Sequence, residues 1–177
     1  MQSSMIKRRS AESHVLFTLL AVLLAPAASV ACPPADEWEW LERDLNRFWR
    51  SRVVLCYSGD SGAQGSRGRV FADFDWLNGM DRQFGPGTAI GILAHEWGHA
   101  VFGATELQSD CLAGFAMRYL NVPYWQFANF LRQSVFQGAP VHGTGIERRN
   151  AVARGYSFVG DFSSAELLSR VCPRGRR

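Results

Sequence analysis

The chain has 177 residues, 19 basic and 16 acidic side chains, four cysteines and a formal charge of +3. That length allows one ordinary domain with a real core, and the near balance of charge does not imply a nucleic-acid partner. Arg174, Arg176 and Arg177 read as a solvated terminus, because three charges at a chain end do not make a binding patch.

Residues 1–27 read as an export signal. Lys7, Arg8 and Arg9 form a basic start, residues 15–24 an apolar run too short for a comfortable membrane span, and Ala25, Pro26 and Ala27 a cleavage site. A single domain is expected over residues 28–177, periplasmic or secreted, with no transmembrane span. Residues 29–32 (SVAC) loosely match a lipoprotein processing site, so lipid attachment is the rival fate of Cys32. Residues 36–52 place Leu41, Leu45, Phe48 and Trp49 on one helical stripe ringed by arginine and glutamate, the pattern of a helix docked on a core. A strand is predicted over residues 53–57, a Gly- and Ser-rich loop over 58–68, and a second strand over 69–76, where polar and apolar residues alternate.

The run TAIGILA (residues 88–94) is small and apolar, as a buried helix requires, with Gly87 and Thr88 placed to start it and Gly103 to end it in a left-handed turn. This helix carries His95, Glu96, Trp97, Gly98 and His99, HEWGH. Two histidines four apart lie one above the other on one helix face, so both rings can reach one metal ion. Glu96 then projects beside the open coordination position. A lone histidine on an apolar face is usually a core residue with a satisfied ring. Two histidines with a glutamate between them would need three separate buried partners, a demand that a metal removes.

Thr105 and Gln108 form a capping box that starts another helix at once. Glu106 and Asp110 share a face of it, so one can complete the ligand set while the other accepts the second N–H of a ligating histidine; on spacing alone, either carboxylate suits zinc. Glu106 also sits where a glutamate ordinarily complements the helix dipole. Pro123 opens a third helix, 123–137, with Trp125, Phe127, Phe130, Leu131 and Phe136 as a core stripe, and residues 146–155 and 164–171 make two more. His142 lies between them among turn residues. It is either a surface histidine or the group that hydrogen-bonds a developing oxyanion, a role for which it ranks ahead of Tyr57 and Tyr156. Arg148 and Arg149 either brace the carboxylates or form a solvated face.

The even number of cysteines in an exported chain favours two disulfides. Cys111 follows Asp110, so it points away from the metal face and toward the sheet side, where Cys56 ends the first strand. The expected pairs are Cys56 with Cys111 and Cys32 with Cys172.

With these pieces in this order, the chain resembles the neutral zinc metallopeptidases of bacteria, a gluzincin-like family. The likeness is carried by VVLCYSG (53–59), VFADFDWL (70–77), FGPGTAIGILAHEWGHAVFG (84–103), ELQSDCLAGFA (106–116) and HGTGIERRNAVARGY (142–156). The resemblance implies His95, His99 and Glu106 as zinc ligands, Glu96 as catalytic base and Asp110 as the partner of a ligating histidine. It also implies a helix-rich α+β, zincin-like fold with a small sheet packed on the HEWGH helix. The strand at 69–76 would lie beside that helix and offer its free edge to an extended peptide. The expected reaction is hydrolysis of a peptide bond in a peptide or protein substrate, with Zn2+ supplied as cofactor. The chain departs from the family in two places: only six residues separate His99 from Glu106, and Cys56 precedes the tyrosine instead of following it. Two other classes are compatible with the motifs. One is an inactive, metal-stapled binding module of the envelope, against which Glu96 argues, because a structural zinc site has no use for a base. The other is a zinc hydrolase acting on a cell-wall peptide.

Overall fold

The computed structural model describes residues 32, 36–133, 142–160 and 170–172. The expected export signal, Phe136 and residues 164–169 of the last expected helix lie outside them. Among the described residues are six α-helices and a small mixed sheet, in agreement with a helix-rich α+β class. None of these helices is long and apolar enough to cross a membrane.

The docking helix forms as its stripe requires. A 3-10 turn at Asp36–Trp38 leads into α1 (Glu39–Trp49), which buries Leu41 and Leu45 completely and stops where Arg50 turns left-handed. Asn46 ties this helix to the next segment, donating to Val53 O at 2.7 Å and accepting from Val53 N at 2.8 Å. β1 (Val54–Tyr57) follows as expected.

The next stretch corrects two expectations. The Gly- and Ser-rich segment contains a strand, β2 (Ala63–Ser66), and the second expected strand is β3 (Arg69–Ala72), which ends four residues early. From there α2 (Phe74–Phe84) runs as a helix, because Asp73 accepts the Trp76 N–H at 3.0 Å and caps it. Alternation over residues 70–76 fits a strand and a capped helical turn equally well, and the cap decides. The sheet order is β1-β3-β2, with β3 parallel to β1 and antiparallel to β2. β3 is therefore central, and the free edge expected of it belongs to β2.

The two edges differ. On β1 the outward Leu55 N–H donates to Glu42 at 2.9 Å, and Cys32 is bonded to Cys56 beside it. On β2, Gly62 O accepts from Asp73 of the next segment, so residues 62, 64 and 66 turn their main-chain groups toward β3, while those of Ala63 and Gly65 point outward.

The central helix is α3 (Thr88–Phe102), buried nearly all round and built of small residues where neighbours cross it. A Cβ at Gly91 would meet the Phe127 ring at 2.3 Å, and one at Gly98 would meet Ser109 Oγ at 2.9 Å. Its start is not capped by Thr88, whose hydroxyl donates to Gly85 O; Asp81 takes the Ala89 N–H instead, at 2.7 Å. Its end matches expectation, with Gly103 left-handed at φ 57°. The capping box of Thr105 and Gln108 opens α4 (Glu106–Tyr119), and α5 (Trp125–Gln133) and α6 (Gly145–Ser157) complete the described helices. The sheet packs on α3, and α3 in turn packs on α4, which packs on α6.

This layering overturns the expected disulfides. Cys32 pairs with Cys56, and Cys111 with Cys172. The face of α4 away from the metal group is not the sheet side, because α3 stands between. Cys111 instead meets Leu112, Phe115, Ala151 and Cys172 in a second apolar cluster. The bond at Cys32 also leaves no thiol for lipid.

Candidate metal centre

Helix α3 presents His95 and His99 one turn apart, and their Nε2 atoms face each other at 3.0 Å. Trp97, between them, points the other way into the core and is fully buried, so the face bearing the histidines is fixed by packing. The tight turn at Gly103 brings the first residue of α4 back over that face. Glu106 Oε2 lies 3.4 Å from His95 Nε2, and Glu106 Oε1 lies 3.4 Å from His99 Nε2. One donor atom from each of the three side chains lies within 4.8 Å of the others.

The other ring nitrogens are already engaged. His99 Nδ1 meets Ala104 O at 2.8 Å, with Ser109 Oγ at 3.3 Å. His95 Nδ1 lies 2.8 Å from Asp110 Oδ1, in close charge contact but off the line of an ideal hydrogen bond. Both rings are thus oriented from behind, leaving their Nε2 atoms aimed at one point. Two imidazole nitrogens and a carboxylate oxygen converging this closely form a group able to hold a metal ion.

Asp110 does not join the donor set. It is 0% exposed and receives both arms of the Arg148 fork, Nε at 2.7 Å and Nη2 at 2.9 Å. Arg148 also reaches Glu106 Oε2 at 3.5 Å, and His142 Nδ1 reaches Glu106 Oε1 at 3.4 Å. Of the two readings of the arginine pair, Arg148 is the brace, whereas Arg149 is exposed. His142 lines the cleft beside Glu106, but its rivals do not: Tyr57 packs on Phe74, and Tyr156 on Tyr124. Arg148→Met would leave the Asp110 carboxylate buried without its main partner. It is expected to cost about 3 to 5 kcal/mol in denaturant unfolding, whereas Arg149→Met should cost almost nothing.

Charge is concentrated here. Burial opposes the His95 imidazolium, but the adjoining Asp110, then Glu106 and Glu96, outweigh it and carry the pKa up to about 10. Burial also works against the charged Glu106 carboxylate, yet both histidines overcome it and hold the group well below the usual carboxylate range. Glu96 goes the other way. Its burial dominates and pushes the pKa up against the pull of His95, His99 and the Gly65 N–H. A carboxylate whose pKa is raised is a stronger proton acceptor than an ordinary one.

The cleft in front of the group encloses about 710 Å³. β2 contributes Gln64 and Gly65 to its lining, and Ile92, Phe127 and Leu131 make part of it apolar. Sequence reasoning missed four contributors: Ala104 O, Ser109, the Gly65 N–H and the strand that bears it. No family model, curated protein or solved structure matches the chain.

Proposed function

We propose that the protein is a zinc-dependent metallopeptidase, exported to an oxidising compartment, that hydrolyses peptide or protein substrates. The observation that carries the reading is the meeting of three things in one cleft: the His95, His99 and Glu106 donors, a buried carboxylate at Glu96, and the outward main-chain edge of β2. Two disulfides support the compartment, since such bonds persist where thiols are not kept reduced.

Zinc suits two imidazoles and one carboxylate, and when bound it supplies a Lewis acid and a water acidic enough to act as nucleophile near neutral pH. The rest is the work of the chain. Ala63 and the Gly65 carbonyl hold an extended peptide along β2 by main-chain pairing, which is indifferent to side chains. Glu96 takes a proton from the attacking water and hands it to the leaving amine. His142 donates toward the carbonyl oxygen as negative charge develops there. Asp110, Arg148 and Ala104 keep the two histidine rings and Glu106 from turning away.

Incubating zinc-loaded, disulfide-bonded protein with a mixed peptide library tests the proposal. Cleavage that stops on chelation and returns with zinc is the expected result. Stoichiometric zinc without any cleavage would instead favour a metal-stapled binding module.

A further inference from the structure

Of the two carboxylates that line the cleft, Glu106 is met by the side chains of His95, His99, His142 and Arg148, whereas Glu96 accepts from main chain. We propose that the backbone N–H of Gly65 is a positioning group for the Glu96 base, and that residue 65 is glycine so that β2 can approach α3 closely enough to make that bond. The Gly65 nitrogen lies 2.6 Å from Glu96 Oε2. A Cβ at position 65 would stand 2.0 Å from the Glu96 carbonyl oxygen and 2.8 Å from its carbon. Those are backbone atoms of a buried helix, with no room to give. The backbone of Gly65 is not left-handed, so conformational freedom does not explain the residue, whereas close approach does.

The bond has two consequences for chemistry. It occupies one carboxylate oxygen and fixes the plane of the group, leaving Oε1 as the oxygen that receives the proton. It also consumes one of the outward donors of β2. A peptide pairing along the edge therefore finds the Ala63 N–H and C=O and the Gly65 C=O, but not the Gly65 N–H. Pairing is interrupted at the residue that meets the base, which sets the register of the bond to be cut. The role as brace of a base rests on the metallopeptidase reading; the bond itself does not.

Two measurements separate these. In 15N-labelled protein, the Gly65 amide proton should be shifted downfield and protected from exchange. Glu96→Ala should abolish both signs while leaving the Gln64 and Ser66 amides, which face β3, nearly unmoved. A Gly65 amide that exchanges freely, or ignores Glu96→Ala, overturns the inference whatever the protein hydrolyses. In the second arm, glycolic acid replaces Gly65, so the N–H becomes an ester oxygen with no added bulk. Zinc affinity and KM should hold while kcat falls about tenfold or more, the size expected for a lost hydrogen bond to a charged group. An unchanged kcat, or zinc lost in parallel with activity, would sink the positioning role. If zinc-loaded wild-type protein cleaves nothing, the metallopeptidase reading fails and the positioning role with it, even where the amide signal reveals the bond.

Discussion

Zinc binding should be lost outright in His95→Ala and in His99→Ala. Each imidazole supplies one of three protein bonds, and the residues packed behind the rings do not replace it: Asp110 is engaged by Arg148, and Ser109 lies behind His99 rather than before it. Glu106→Ala should behave in the same way, because the remaining pair of nitrogens makes an open, two-coordinate site. Asp110→Asn should differ in kind, keeping a ligand set intact but loosening the orientation of His95, with affinity down about ten- to a hundredfold. Metal analysis after gel filtration, with chelator competition for the weaker variant, separates these outcomes. A full equivalent of zinc in either histidine variant would rule the centre out. Uptake should also depend on pH. With its pKa raised to about 10, His95 carries a proton in the metal-free protein at neutral pH, and that proton must leave before the ring can bind a metal. Affinity should therefore rise about tenfold per pH unit below that value, with about one proton released per zinc in calorimetry across buffers. The same protonated ring stabilises the metal-free fold. That contribution is fully present below the unfolded value of 6.5 and disappears as pH climbs through about 10.

Glu96→Gln should retain zinc and fold while kcat falls about 10²- to 10⁴-fold, the usual contribution of a general base. The amide keeps the size of the side chain and an oxygen able to accept the Gly65 N–H, so position is preserved and only the proton acceptor is removed. Steady-state hydrolysis of a library-derived peptide, with zinc content measured on the same sample, checks both halves. An undiminished kcat would mean that the carboxylate is not the base.

What the sequence reveals and what it hides follow a physical division. HEWGH and the Glu106, Asp110 pair are legible because helical periodicity alone brings residues four apart onto one face. The left-handed turn at Gly103 and the capping box at Thr105 are legible because each is local chemistry. Strand β2 is hidden because Ala63, Gln64, Gly65 and Ser66 include no β-branched or aromatic residue, and their strand is made by pairing with β3. Helix α2 is hidden because its first residues alternate like a strand. Arg148 is the most instructive case: nothing near it distinguishes it from Arg149, and its role exists only because α6 crosses α4 at one particular place. The disulfides fail for a related reason, since the pairing depends on which side of α3 each element packs, and no local pattern encodes that.

The crossing of α4 and α6 rests on atoms that are not there. A Cβ at Gly114 would lie 2.1 Å from the Val152 carbonyl oxygen, and one at Gly155 would lie 1.9 Å from that of Cys111. The two backbones touch at both points, and Gly114 lies one helical turn beyond Asp110, on the side of α4 from which Arg148 reaches it. One methyl group added at either glycine would wedge the helices apart, withdraw the Arg148 fork from Asp110 and let His95 swing. In a genetic screen such a lesion would masquerade as damage to the metal centre, although it alters no donor atom and no cleft surface. Inheritance of the chemistry is thus spread onto residues whose only contribution is emptiness.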